Sequence, residues 1–138
     1  MAARDGGIGK LKRRLANIPK EIREKVMVTQ IEIANDLATK MKGLAPVESG
    51  RLRDSIAVTK EGQTTPNHSQ PGGKVTVPEG AVMVTAGNSG ARYVALVEFG
   101  HDTAEAVPFF VPVVRSNRKA IKAKMKRTIN KAVKGGAK

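Results

Sequence analysis

The sequence predicts an α+β fold, a small antiparallel sheet of about three to four strands flanked by a long N-terminal helix and a long C-terminal helix. Three observations predict it. Apolar residues recur at helical spacing from residue 19 to 42 and again from 108 to 133. Between these stretches lie short alternating runs broken by glycine and proline, the pattern of half-buried strands and tight turns. The chain has 138 residues, the length of one domain, so both helices have a single small sheet to pack on.

Residues 1–17, with Gly6, Gly7 and Gly9 among basic side chains, read as a flexible arm that folds only against a partner. One domain then occupies residues 18–134, and residues 135–138 read as a flexible tail. The first helix runs from about Pro19 to Lys42. Proline suits a first-turn position, where its missing N–H would be unpaired in any case. At about 100° per residue, Ile22, Val26, Ile33 and Leu37 fall on one stripe, and Met27, Ile31, Ala34 and Ala38 form a second beside it. Together the stripes are wider than a surface helix needs to cover its own core. Two readings stay open: burial within the domain, or contact with a neighbouring subunit.

Gly43 and Pro46 end that helix. The stretch from Arg53 to Lys60 reads as a strand, with Ile56 and Val58 alternating against Ser55, Ala57 and Thr59. Residues 61–73, dense in turn formers and without apolar periodicity, read as a long flexible hairpin loop or extended arm. Two more strands follow at 74–77 and 81–87, separated by Pro78 and Gly80. Tyr93, Leu96 and Val97 have the spacing of a short helix, with Gly100 as its C-cap. The last helix begins near Pro108, with Pro112 tolerable only in its first turn. Phe110, Val114, Ile121, Met125, Thr128 and Ala132 share one face of it, and lysines and arginines fill most of the rest.

The net charge is +13, and it sits at the ends. Residues 1–25 carry eight Lys/Arg against three acids, and residues 115–138 carry ten against none, while the middle is almost neutral. Such ends attract polyanions, either nucleic acid or an acidic protein face. Arg13 and Arg14 in the arm and Arg118, Lys119, Lys122 and Lys126 on the last helix are the candidate contact residues. The chain has no cysteine and hence neither disulfide nor thiolate site. Its longest apolar runs are far short of the ~20 residues of a membrane span.

Catalytic groups do not assemble. Glu98, His101 and Asp102 are close in sequence, but a metal site would need distant ligands, and the other histidine, His68, lies in the 61–73 loop. Residues 6–10, GGIGK, lack the spacing of a phosphate-binding loop and the strand that precedes one. No catalytic, metal or cofactor residue is assigned. No aromatic platform interleaved with basic residues supports base stacking, so any nucleic-acid binding would be electrostatic and blind to sequence.

Three stretches occur in order: APVESGRLRDSI at 45–56, ARYVALVEFGH at 91–101 and AVPFFVPVVR at 106–115. In this order they resemble the tail-completion or neck family of long-tailed phages, the gene-product-ten-like tail components. Matching positions are Ala45, Pro46, Ser49, Gly50, Leu52, Ser55 and Ile56, then Tyr93, Val97, Glu98, Phe99 and Gly100, then Pro108, Phe109 and Pro112. Ser49, Val94, His101 and Val113 depart from the usual residues. The resemblance implies a non-enzymatic virion protein at the head–tail junction, in host cytoplasm during assembly. It implies a homo-oligomeric ring of six or twelve subunits between connector or head-closure proteins and tail-terminator or tail-tube proteins. The other reading is a sequence-independent basic DNA-binding protein. In the ring reading, Tyr93, Phe99, Phe109 and Phe110, the chain's four aromatics, gather under the sheet as one hydrophobic anchor.

Overall fold

A computed structural model describes residues 19–46 and 50–136. Helix α1 spans Lys20–Leu44, with Pro19 at its N-cap in an extended conformation (φ −53°, ψ 142°). Helix α4 spans Val111–Gly136, so it starts after Pro108 and runs two residues into the stretch read as tail. Pro112 falls in its first turn, where no intrahelical donor is needed. The two long helices run antiparallel. Lys40 Nζ donates to Asn117 Oδ1 at 2.7 Å near one end, and Lys124 pairs with Glu32 at 3.7 Å further along.

Between them come α2 (Arg51–Asp54), β1 (Ala57–Thr59), β2 (Met83–Thr85) and α3 (Val94–Phe99). The sheet has two strands, β1 and β2, paired antiparallel with Val58 opposite Val84. The expectation of three to four strands is therefore corrected at two places. The Arg53 end of the first predicted strand is a helical turn. It opens at Gly50, whose φ of 73° is left-handed, and closes where Ser55 Oγ donates to Leu52 O at 2.6 Å. Residues 74–77 make only an isolated bridge, Thr64 with Thr76. There Val75 N donates to the Thr65 hydroxyl at 2.8 Å, and that hydroxyl also contacts Gly73 O and Val75 O. A side chain has taken the ladder's place, as threonine readily does in turns.

The 61–73 loop is correspondingly not a free arm. Gly62 N donates to Val77 O at 2.9 Å, Thr65 N to Val75 O at 2.8 Å, and Gln70 exchanges two backbone bonds with Ala86 beside β2. Thr65 and Ser69 are buried. Polar residues hold this excursion through hydrogen bonds, so apolar periodicity gave no sign of its order.

The core gathers Ala38, Met41 and Ala45 of the α1 end, Leu52, Ile56, Ala86, Val94, Phe109 and Val113, with Val58, Val84, Val97 and Phe110 packed against it. Ala34 and Ala38, from the second stripe of α1, are buried inside the domain, while Ile22, Val26 and Met27 nearer its start remain part-exposed. The proposed arm at 1–17, with Arg13 and Arg14, lies outside the described residues, as does Ser49.

Candidate assembly interface

Helix α3 has six residues and two opposite faces. Val94 and Glu98 lie four apart, one turn of helix, and both point inward, with Glu98 only 5% exposed. A buried carboxylate needs partners, and Glu98 has three. Its Oε2 accepts from Phe109 N at 2.9 Å and Phe110 N at 3.0 Å, and its Oε1 accepts from Val111 N at 2.8 Å. These are all the backbone N–H groups between Pro108 and Pro112, which have none themselves. One side chain thus satisfies the three amides that lead into the 26-residue helix α4, where the helix dipole also favours a negative charge.

The chain must turn sharply to make this contact, and it does so at Gly100, with φ 77° and ψ 172°. That conformation is nearly restricted to glycine. A Cβ there would lie 2.8 Å from Ala106 N and 3.2 Å from Ala104 O. The returning segment is tied by a tight His101–Ala104 turn and by Val107 N donating to Val97 O at 2.8 Å. A second buried tie comes from Ser55, whose hydroxyl accepts from Gly87 N at 2.9 Å. It joins the end of α2 to the chain leaving β2.

With Glu98 turned inward, the other face of α3 meets solvent. Phe99 is 73% exposed and Leu96 51%, and Tyr93 and Val107 are exposed beside them. The expectation that Tyr93 and Phe99 join the buried anchor is corrected. A six-residue helix cannot bury Glu98 and its immediate neighbour Phe99, which projects about 100° away. Only Phe109 and Phe110 form an aromatic pair, edge to face at 6.5 Å, and Phe109 is fully buried. The hydrophobic reading put the aromatic in and gave the acid no structural role. The signal that could have reversed it is the pair of prolines at 108 and 112 bracketing three amides that need an acceptor.

The other motif residues differ in burial. Leu52 and Ile56 are buried, Pro46, Gly50, Val97 and Gly100 are part-buried, and Pro108 and Pro112 are exposed. Arg118, Lys119, Lys122 and Lys126 are exposed on α4, and no ion pair engages them among the described residues. Among those residues, no three histidine, cysteine or acidic side chains come together as a metal site, and no helix is long and apolar enough to cross a membrane.

No curated protein and no solved structure matches the chain. The model of the family described as "Bacteriophage HK97-gp10, putative tail-component" matches residues 9–100, about two thirds of the chain. The matched span includes α1, the sheet and the whole of α3 with Glu98 and Gly100. The chain belongs to this HK97-gp10-like family of phage tail components.

Proposed function

We propose that the protein is a structural, non-catalytic subunit of a ring at the head–tail junction of a tailed phage or phage-like particle. The ring joins connector or head-closure proteins to tail-terminator or tail-tube proteins. The observation that carries this reading is the outward face of α3, where Leu96 and Phe99 stand in solvent on a helix fixed from behind by Glu98. Large apolar side chains held rigidly at a surface mark a protein contact. In a ring every subunit offers this face to a different face of the next copy, a head-to-tail contact that closes by rotation.

The basic face of α4, with Arg118, Lys119, Lys122 and Lys126, meets an acidic face of the adjacent tail or connector protein. A protein lining a genome conduit is better served by a charged protein contact than by tight DNA binding, which would slow passage. The experiment compares parent and Leu96→Asp/Phe99→Asp protein by light scattering and by complementation of particles lacking the protein. Loss of rings and of head–tail joining, with folding retained, supports the reading. Rings formed equally by both proteins refute the α3 contact. A monomeric parent that binds duplex DNA irrespective of sequence, with affinity falling steeply as salt rises, favours the DNA-binding alternative.

A further inference from the structure

The large apolar side chains that stand in solvent gather mainly at two places among the described residues. One is the outward face of α3, with Leu96, Phe99 and Val107. The other is a groove of about 850 Å³ between the start of α1 and the end of α4. Its apolar lining includes Ile22, Val26 and Met27 from α1 and Met125, Ile129 and Val133 from α4. Ile129 and Val133 are 41% and 49% exposed.

The two places lie at opposite ends of the molecule. Glu98 fixes α3 to the start of α4 at Val111, whereas the groove is bounded by Ile129. Between those two positions α4 rises roughly 27 Å. A copy therefore cannot seat its own α3 in its own groove, and the groove is open to the α3 of another copy. A contact between two different faces of identical subunits is of the head-to-tail kind that builds rings.

The charges match in the same sense. From Tyr93 to Val114 the chain has no Lys or Arg. Phe99, Asp102 and Glu105 border one shallow hollow, and both acids are exposed. Their carboxylates form no ion pair among the described residues. At the groove, by contrast, the acids are already engaged. Glu24 pairs with Lys20 at 3.8 Å and Glu79 with Arg23 at 2.9 Å, and Glu61 accepts from Gly80 N at 2.7 Å. The charges left over at its edge are cations. Lys122 shares a row of α4 with Met125 and Ile129, and Lys126 shares one with Ile129 and Val133. Both lysines are exposed.

We propose that the groove is the receiving face of the ring contact, so that Leu96 and Phe99 of one copy enter the groove of the next. Asp102 and Glu105 then come against Lys122 and Lys126 at its edge. The proposal rests on the ring reading above and names the face that reading leaves open. It gives Lys122 and Lys126 to the neighbouring copy, and Arg118 and Lys119, nearer the start of α4, to the tail or connector protein. Two apolar surfaces leave water together, and the charges at the rim set the register.

The absence of native cysteine gives a clean test on the full chain. Phe99→Cys protein is mixed with Ile129→Cys protein, oxidised, and its disulfides mapped by mass spectrometry. Leu44→Cys, at a position 53% exposed and outside the groove lining, replaces Ile129→Cys in the control. The first mixture is expected to give at least about tenfold more disulfide between the two variants than the control, because docking raises the effective concentration of the pair. Equal yields overturn the proposal, and so does Phe99→Cys protein that links to itself as readily, which makes the contact two-fold. Charge reversal supplies the second readout. Asp102→Lys/Glu105→Lys and Lys122→Glu/Lys126→Glu should each weaken self-association in light scattering by about tenfold, and the protein carrying all four substitutions should recover it. Failure to recover overturns the pairing at the rim. A parent that assembles without the expected disulfide keeps the ring and loses the groove, whereas a parent monomeric at every concentration removes the ring reading and this contact with it.

Discussion

Glu98 Oε1 lies 2.8 Å from the backbone N–H of Val111, and its other oxygen takes the N–H groups of Phe109 and Phe110. The long C-terminal helix is thus started by a residue outside it. Charge-assisted bonds of this kind are the strong ones, and their loss leaves amides without a partner.

Glu98→Ala is therefore expected to destabilise the protein by about 3 kcal/mol or more, from the loss of three bonds to a charged acceptor. Glu98→Gln keeps one acceptor oxygen but turns an NH₂ group toward a donor, so it should fall between the two. Denaturant unfolding monitored by far-UV circular dichroism checks the order. An alanine variant as stable as the parent would show that water replaces the carboxylate at no cost.

Phe109→Ala and Phe99→Ala should separate stability from assembly. The first empties a fully buried ring site and is expected to cost about 3–5 kcal/mol. The second removes a solvent-facing side chain and should change stability by no more than roughly 0.5 kcal/mol. Thermal melts of the two variants test this directly, and a large loss for Phe99→Ala would place its ring in the core after all.

Ser55→Ala removes the acceptor of Gly87 N–H in a buried position. The expected cost is about 1–3 kcal/mol, the penalty for one buried donor left without a partner. Amide exchange at Gly87 should quicken with it, whereas unchanged exchange would mean that another group had taken over the bond.

The backbone ties of the 61–73 loop give a prediction opposite in direction to the one its composition suggests. The amides of Thr65 and Gln70 should be protected from hydrogen exchange in the isolated protein, because each donates to a carbonyl at 2.8 Å. Exchange at the rate of an unstructured peptide would show that these bonds need a partner protein to form.

Reversing Lys119, Lys122 and Lys126 to glutamate should leave the melting transition in place, since all three are exposed and clear of the stripe that packs on α1. Head–tail joining should fail, because the face then repels an acidic neighbour. Fully joined, infectious particles at normal yield would mark the charge as a solvated surface only.

The two long helices were legible because their apolar spacing is carried by many residues, and the short helix because Gly100 marks its end. The shortfall in strands has a local cause. Thr65 bonds to the backbone on both sides of its loop, and no pattern of apolar and polar residues reports on a hydroxyl's partners. Phe99 was misplaced for a related reason. Periodicity sorts side chains by hydrophobicity, but the inward place on α3 was decided by unpaired amides eleven to thirteen residues downstream. The motif containing Glu98 was visible; the job of its acid was not.

The three hydrogen bonds of the Glu98 joint all come from main-chain N–H groups, those of residues 109–111. The carboxylate itself reads no side chain there, while the buried ring of Phe109 beside it answers to the core. The joint lies at the boundary where the family match stops, at residue 100, ahead of the basic helix. The exposed face of the C-terminal helix can therefore be re-charged over evolutionary time without rebuilding its seat. One scaffold could in this way be fitted to neighbours of different surface charge by changing a single helix.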